Sequence, residues 1–204
     1  MRLSVFSIDG IGEVKAGDDV GAIVADAAAA QGDALQPGDV VVIAQKIVSK
    51  AEGRLVRLDA VTPSPVASTM AAELGRDARL VEVILRESRR VVRMDKGVLI
   101  VETHHGWICA NAWVDQSNVE LDTVALLPED PDRSARCVRE RLRELAAVDV
   151  AVIIADTFGR PWREGLTNVA IGVAGVAPLR HHLGERDPAG HTLQATILAV
   201  ADEL

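Results

Sequence analysis

Two short aliphatic runs, residues 40–44 and 150–155, constrain the fold more than any other feature of this sequence. Each run is rich in β-branched side chains and too short for a typical helix, so each predicts a strand buried on both faces. Gln45 follows the first run directly, and Asp156 follows the second. Because ligand sites often lie just beyond the ends of buried strands, both places are candidate functional sites.

Helical patterns surround these two strands. Apolar residues at helical spacing or capping residues predict helices over residues 19–31, 65–75, 78–88 and 133–146, the last capped by Asp132. Shorter strands are expected near residues 90–94, 97–103 and 107–111. Residues 196–204 resemble the first turns of a further helix. Strands that alternate with helices in this way predict an α/β or α+β domain.

The length of 204 residues suits one domain, built as a single body or as two small lobes. Lys and Arg number 22 against 30 Asp and Glu, and no basic stripe is present, which argues against a nucleic-acid partner. No apolar run approaches the roughly 20 residues that cross a bilayer. We therefore expect a cytoplasmic location and no membrane partner. Cys109 and Cys137 are too few for a disulfide framework and are predicted to be buried and reduced.

A first polar constellation spans residues 111–118 and follows an apolar strand. Its amide, hydroxyl and carboxylate groups, among them Asn111, Asp115 and Asn118, suit a hard cation or a phosphate. The alternative is an Asx-rich turn that only closes the strand. Spacing alone favours the turn.

A second constellation combines Asp156 and Thr157 with Arg160 and Arg163. A carboxylate, a hydroxyl and two arginines within this distance can hold a divalent metal and an anionic substrate together. The structural alternative makes the two arginines surface ion pairs with Asp156 and Glu164. The spacing does not decide between these interpretations.

A third constellation follows the first buried strand. In an extended segment Lys46 and Lys50 share one face, where two ammonium groups can converge on a polyphosphate. The alternative, which a lone motif of this kind favours, is an ordinary solvated strand. The glycine spacing of a P-loop is absent. The five histidines occur as 104–105, 181–182 and 191, a pattern that favours hydrogen-bonded or surface imidazoles over a metal site.

Several further motifs occur in a characteristic order, and together they resemble the coenzyme F420-0:γ-glutamyl ligase family, also called the CofE-like family. They lie at residues 10–11, 17–19, 38–40, 48–54, 111–118, 127–132, 156–163 and 170–175. The resemblance covers nearly the whole chain. It implies an α+β fold of mixed β-sheets with flanking helices, in one CofE-like domain that forms an intertwined homodimer.

The resemblance also implies a reaction. The family's activity is the GTP-dependent addition of L-glutamate to the lactyl-phosphate side chain of F420-0, a deazaflavin precursor, followed by γ-linked glutamates. GTP would phosphorylate a carboxylate, and the glutamate amine would attack the acyl phosphate. Two divalent ions, Mg²⁺ or Mn²⁺, would neutralise the phosphates, and K⁺ is a further candidate.

The family's site residues carry over by motif. The residues that resemble its metal ligands are Asp115, Asp156 and Thr157. The residues at its GTP-binding positions are Ile11, Gly12, Glu13, Val14, Gln45, Lys46, Lys50 and Asn118. We add Arg160 and Arg163 as catalytic anion-binding residues from the second constellation, beside the carboxylates of Asp115 and Asp156.

Two departures from the family pattern bear on function. Trp113 stands where the family usually has glycine, so the pocket beside Asp115 is expected to differ in shape. The family continues past residue 204 into a glycine-containing segment that supplies a metal ligand and phosphate contacts. A chain without that segment is expected to be a weak ligase, or an inactive nucleotide- or F420-binding module of a longer protein.

Overall fold

The computed structural model describes residues 3–95, 97–160 and 162–204. Pro161, which belongs to the motif at 156–163, lies outside this set. The chain divides into two compact units. Unit 1 comprises residues 3–14, 18–48 and 130–204, and unit 2 comprises residues 15–17 and 49–129.

Helices and strands alternate irregularly along the chain. The α-helices in the described residues are α1 (Val20–Ala30), α2 (Gln45–Ala51), α3 (Pro65–Leu74), α4 (Ala78–Arg86) and α5 (Pro131–Ala146). The strands are β1 (Val40–Ala44), β2 (Leu55–Arg57), β3 (Ser88–Asp95), β4 (Val98–Thr103), β5 (Ile108–Ala110), β6 (Thr123–Ala125), β7 (Ala151–Gly159), β8 (Leu166–Ala174), β9 (Arg180–His181) and β10 (Ile197–Leu198). The predicted α+β class with mixed sheets is confirmed.

Unit 1 is built on a three-stranded sheet in the order β1-β7-β8. Strand β1 runs parallel to β7, and β7 runs antiparallel to β8. Helix α5 packs on β7 and β8 and also contacts α1. The side chains of Ile43, Leu142 and Ile154 lie in the core of this unit and are at most 3% exposed. β9 and β10 form a separate two-stranded sheet.

The prediction that both aliphatic strands are buried on two faces is only half correct. In β7, Val152, Ile153 and Ile154 are buried in succession, as expected. In β1 the burial alternates, and Val40 and Val42 remain 38% and 49% exposed. The side chains at positions 40, 42 and 44 share one face of β1, and that face stays exposed while the opposite face packs in the core.

Unit 2 contains the β3-β4-β5 sheet, the β2-β6 pair and helices α3 and α4. Its larger core joins the two helices to strand β4 through buried residues that include Ala71, Ile84, Leu99 and Val101. A smaller core gathers Leu58 and other aliphatic side chains beside strand β6. The helices and the three short strands predicted in this part of the chain are confirmed.

Helix α5 begins earlier than predicted. Asp130 is its N-cap and accepts a hydrogen bond from the Arg133 N–H at 2.9 Å, and Pro131 occupies the first turn. Asp132, the predicted cap, instead accepts a hydrogen bond from the Val173 N–H of β8 at 2.8 Å. The side chain therefore ties α5 to the sheet of unit 1.

Three further predictions are wrong. Residues 46–50 are helical, in α2, and not extended. Residues 196–204 contain β10 and a 3-10 turn at Val200–Asp202, where an α-helix was expected. Cys109 is buried as predicted, but Cys137 is exposed on α5. No helix in the described residues combines the length and apolar character needed to cross a membrane.

Candidate functional site

Four predicted site residues of unit 1 follow the last paired residues of β1 and β7 along the chain. Ala44 of β1 pairs in register with Ala155 of β7. Asp156 is the next residue of β7, and Gln45, which follows Ala44, is the first residue of α2, so the chain leaves β1 for α2 beside the Asp156 position. Lys46 and Thr157 follow them. The sheet therefore brings together the two polar segments that the sequence analysis singled out after the aliphatic runs.

Asp156 and Thr157 do not lie beyond the end of their strand, because β7 continues to Gly159. The Thr157 N–H donates to Asp156 Oδ1 at 2.7 Å, which fixes the carboxylate against the backbone. Asp156 is half-buried and Thr157 is exposed. A carboxylate and an adjacent hydroxyl are thus presented from a strand that is paired with β8, which is a rigid support for a ligand.

Helix α2 carries the predicted Lys46 and Lys50. These residues are four apart, which places them on the same side of a helix. They therefore still share a face, although the predicted extended conformation is wrong. Gln45 and Lys50 are 3% and 8% exposed, an unusual degree of burial for polar side chains of this size.

The loop after β7 holds Arg160 in a defined position. Its Nη2 donates to the Glu164 carbonyl at 2.8 Å, and its Nε donates to the Gly165 carbonyl at 3.3 Å. This arrangement differs from the ion pairs of the structural alternative, since these hydrogen bonds of Arg160 close a loop through backbone carbonyls. Arg163 is exposed in the same loop.

The amino-terminal segment of unit 1 contains the predicted residues Ile11, Gly12, Glu13 and Val14. The segment has no regular secondary structure. Val14 is buried and fixes its end, whereas Gly12 and Glu13 are exposed. Exposed backbone with a glycine is suited to close approach by a ligand.

In unit 2, Asp115 forms a side-chain-stabilised turn. Asp115 Oδ1 accepts a hydrogen bond from the Ser117 N–H at 2.7 Å, and Oδ2 accepts one from Ser117 Oγ at 2.9 Å. The backbone of Asp115 pairs with Ala125 in both directions, at 3.0 and 2.8 Å. The Asx-turn alternative is therefore correct as local structure, and it leaves the carboxylate half-buried at a fixed position.

The residues before and after Asp115 have unusual backbone conformations. Asn111, Ala112 and Trp113 have φ values of +54°, +53° and +55°, and Asn118 has +55°. A left-handed conformation costs a residue with a side chain about 1–2 kcal/mol. Such conformations persist where the surrounding structure holds them, and they concentrate at functional sites.

Aromatic packing supports this left-handed run. The Trp113 ring meets the Trp107 ring edge to face at 5.5 Å between centroids, and Trp107 stacks on His105 at 4.7 Å. Glycine at this position would adopt this φ without strain. The aromatic contacts of Trp113 offset part of the conformational cost here.

A cavity of about 690 Å³ opens beside Asp115 in unit 2. Its apolar lining comes from Leu80, Ile84 and Val114. Its polar lining includes Asp115, Asn111 and Arg76, a residue that the sequence analysis did not single out. The Arg76 Nη1 donates to Asn111 Oδ1 at 2.7 Å. These two residues are 35 positions apart in the chain, so no local sequence pattern could have paired them.

Asp77 also lines the cavity, and its charge is already offset. The hydrogen bond from the Arg79 guanidinium holds the pKa of the Asp77 carboxyl below its usual value, more strongly than burial raises it. Arg79 Nη2 lies 2.6 Å from Asp77 Oδ2. Asp77 is therefore ionised and ion-paired at neutral pH, and its carboxylate also caps α4 through the Arg79 N–H.

Within residues 3–95, 97–160 and 162–204, no three His, Cys, Asp or Glu side chains group closely enough to hold a metal ion. His104 contacts the Arg86 carbonyl at 2.8 Å, and His182 contacts Glu185 at 2.7 Å. These two imidazoles agree with the prediction of hydrogen-bonded histidines.

The predicted site residues thus fall into two groups. Unit 1 holds residues 11–14, Gln45, Lys46, Asp156, Thr157, Arg160 and Arg163, and unit 2 holds Lys50, Asp115 and Asn118. Carboxylate and hydroxyl oxygens from Asp115, Asp156 and Thr157 are the donor type that Mg²⁺ and Mn²⁺ prefer. Mg²⁺ commonly takes only one or two protein carboxylates and completes its shell with water and phosphate oxygens.

Comparison with known proteins gives one consistent answer. Residues 10–204 match the family described as F420-0:Gamma-glutamyl ligase. The chain is 51% identical over 192 residues to the Coenzyme F420:L-glutamate ligase of Methanopyrus kandleri, an alignment that covers 94% of this chain and 74% of that protein. The proteins of the same name from Methanothermobacter thermautotrophicus and Archaeoglobus fulgidus are 45% and 39% identical over 204 residues. These alignments cover all of this chain and 81% and 80% of the two relatives.

Proposed function

Because this chain belongs to the F420-0:gamma-glutamyl ligase family, we propose that it joins L-glutamate to coenzyme F420-0 through an amide bond, with GTP as the energy source. The observation that carries the proposal is the family match over residues 10–204, together with relatives named as ligases at 39–51% identity. These relatives favour an active ligase over the binding-module alternative. The further addition of γ-linked glutamates belongs to the same proposal.

The chemistry follows from the poor reactivity of a carboxylate. A carboxylate oxygen of F420-0 attacks the γ-phosphorus of GTP, the bond to the bridging oxygen breaks, and GDP leaves. The glutamate amine then attacks the carbonyl carbon of the acyl phosphate, the amine loses a proton, and inorganic phosphate leaves. The protein contributes chiefly by positioning the reactants and stabilising the charge that develops on the phosphoryl oxygens.

Asp115, Asp156 and Thr157 would hold the divalent ions. Mg²⁺ or Mn²⁺ bound there would neutralise phosphate charge and polarise the transferred group. The Ser117 N–H and Oγ keep the Asp115 carboxylate in place, and the Thr157 N–H does the same for Asp156. Carboxylates that are held in advance lose little freedom on binding.

The remaining predicted residues would bind GTP. The positions that match the family are Ile11, Gly12, Glu13, Val14, Gln45, Lys46, Lys50 and Asn118. Two ammonium groups on one side of α2 supply positive charge for phosphate oxygens, and backbone around Gly12 allows a close approach. Arg160 and Arg163 would bind a further anionic group. A homodimer and a K⁺ ion are part of the proposal by family resemblance only.

The direct test supplies the purified chain with GTP, L-glutamate, F420-0 and Mg²⁺ or Mn²⁺, and follows phosphate release and product mass. A mass gain of one or more glutamates that requires GTP supports the proposal. Absence of a glutamate adduct under conditions in which a curated relative forms one would refute it.

Asp156→Asn tests the metal-binding role. The substitution removes one negative charge at nearly constant shape, and GTP turnover with F420-0 and glutamate should fall about 100-fold or more, since even groups outside the first coordination shell are worth 10–100-fold. Asp26→Asn is the matched control, because Asp26 is exposed on α1 of the same unit. Turnover retained by a folded Asp156→Asn protein would remove Asp156 from the metal site.

A further inference from the structure

The geometry points to Arg76 as the residue that binds a substrate carboxylate in the cavity of unit 2, an inference that rests on the proposed function. Both substrates of the proposed reaction carry carboxylates: L-glutamate has two, and F420-0 has the one that becomes the amide. The shared chemistry is a single carboxylate on a short carbon chain.

Arg76 is fixed at a sharp corner between two helices. Gly75 ends α3 with φ +64°, and the Arg76 N–H donates to the Ala71 carbonyl at 3.0 Å, which is the closing bond of a Schellman cap. Asp77 then caps α4. The backbone of Arg76 is therefore held from both sides, and its side chain starts from a defined point.

The guanidinium group has a neutral partner. Its hydrogen bond to Asn111 Oδ1 orients it without cancelling its charge. Across the described part of the chain, no Asp or Glu lies within ion-pair distance of Arg76. Asp77, its neighbour in sequence, is paired with Arg79 instead. A half-buried guanidinium oriented by an amide and lining a cavity can bind a carboxylate with its planar fork.

The composition of the cavity favours a carboxylate over a polyphosphate. Leu80, Ile84 and Val114 suit the methylene carbons of a small acid, and Arg76 matches one negative charge. A triphosphate would bring several negative charges to a lining that also holds the Asp115 carboxylate. One guanidinium cannot offset that repulsion.

Asn111 has a positioning role in this arrangement. Its left-handed backbone, φ +54°, starts the turn that leads to Asp115, and its side chain accepts the Arg76 hydrogen bond. The strained segment thus connects the carboxylate-binding arginine to the aspartate proposed to bind metal. Both groups face one cavity, which places a substrate acid near the reacting phosphate.

The test compares Arg76→Gln and Arg76→Lys with wild type by initial rates, varying L-glutamate, F420-0 and GTP in turn. Arg76→Gln should raise the KM of the acid that Arg76 binds about 10–100-fold, as expected for a charged hydrogen bond, and leave the KM of GTP within about twofold. Arg76→Lys should recover part of the effect, because it keeps the charge but loses the fork. Arg89→Gln is the control, an exposed arginine on β3 of the same unit.

The same experiment distinguishes L-glutamate from F420-0 as the source of the bound carboxylate. A raised KM for L-glutamate assigns the site to glutamate, and a raised KM for F420-0 assigns it to the acceptor acid. If glutamate is the ligand, an analogue that lacks the bound carboxylate should be tested as well; this is either the α-amide of glutamate or L-glutamine. The KM of that analogue should differ between wild type and Arg76→Gln much less than the KM of glutamate does. Unchanged KM values for both acids in folded Arg76 variants, or a change for GTP alone, would overturn the inference.

Calorimetric titration with L-glutamate and with F420-0 separates this inference from the proposed function. Binding of either acid that Arg76→Gln weakens supports the carboxylate site even if the wild-type chain forms no product, in which case only the ligase proposal fails. If wild type is active and the Arg76 variants bind both acids with unchanged affinity, the carboxylate-site inference fails and the ligase proposal stands.

Discussion

Gly172 of β8 lies where the strand approaches the start of α5 most closely. A Cβ added there would collide with the backbone carbonyl of Pro131 and lie 2.8 Å from its Cβ. Gly172→Ala should lower the free energy of unfolding by about 3 kcal/mol, the upper range for overpacking. Gly159→Ala in β7 is the control, because its nearest neighbour would be Leu166 Cδ2 at 3.9 Å. Urea unfolding measures both, and equal stability of the two variants would contradict the packing explanation.

Single residues differ in how much of their role the sequence reveals. Asp115 and Asp156 were predicted because each follows an apolar run and belongs to a recognisable motif. Arg76 was not predicted, because its environment depends on contacts with Asn111 and on the cavity, which only the tertiary structure creates. The backbone of Trp113 was likewise hidden: nothing in a tryptophan side chain indicates a φ of +55°.

At the scale of secondary structure, Glu82 of α4 stabilises the start of α3. Its carboxylate accepts hydrogen bonds from Ser64, including the backbone N–H at 2.9 Å, and from the Arg86 Nε at 2.9 Å. The Ser64 side chain, its N–H and Arg86, in that order, lower the pKa of Glu82 from 4.5 to about 2. Glu82 therefore stabilises the fold while it is ionised.

The lowered pKa of Glu82 makes the stability of the fold depend on pH. A carboxyl whose pKa is lower in the folded state contributes fully above its unfolded pKa, and the contribution is lost as pH falls from about 4.5 to about 2. Glu82→Gln should be less stable than wild type at pH 7 and lose less stability over that acid range. Glu73→Gln, at an exposed position on α3, is the control. Parallel stability curves for wild type and Glu82→Gln between pH 5 and pH 2.5 would refute the role of Glu82.

Most elements could be predicted, and their periodicity explains why. Helices α1, α3, α4 and α5 and strand β1 agree with the predicted ranges to within about two residues. The segment at 46–50 was misjudged because β-branched Ile47 and Val48 continue the composition of the preceding strand, whereas tertiary packing makes the segment helical. The pattern at 196–204 fits a helix, but Ile197 and Leu198 instead pair with β9.

At the scale of the whole molecule, the two cysteines report on different units. Cys137 is exposed on α5 of unit 1, and Cys109 is 4% exposed in β5 of unit 2. A thiol reagent such as Ellman's reagent should modify one cysteine per native chain rapidly and the second only as unit 2 unfolds. Cys137→Ser should abolish the rapid phase. A second rapid thiol in the native protein would contradict the burial of Cys109.

The two units could not be predicted from the sequence, because no linker and no change in amino-acid composition marks the boundary between them. The length allowed one body or two lobes, and the division into units depends on long-range contacts. Unit 1 uses residues from both halves of the chain, since β1 pairs with β7 across more than one hundred positions. A single sequence reveals such a pairing only through the matching aliphatic character of its two strands.

The main part of unit 2, residues 49–129, is one uninterrupted stretch with its beginning and end fastened together. Ser49 Oγ donates to the Leu126 carbonyl at 2.6 Å, and the Arg54 Nε donates to the Leu127 carbonyl at 2.9 Å. A segment closed in this way resembles an inserted domain. Because the two ends of such a domain lie close together, its insertion adds little loop-closure entropy cost to the fold that receives it. The residues that line the Arg76 cavity are therefore encoded by a single continuous stretch of coding sequence, which recombination between relatives can exchange as one piece.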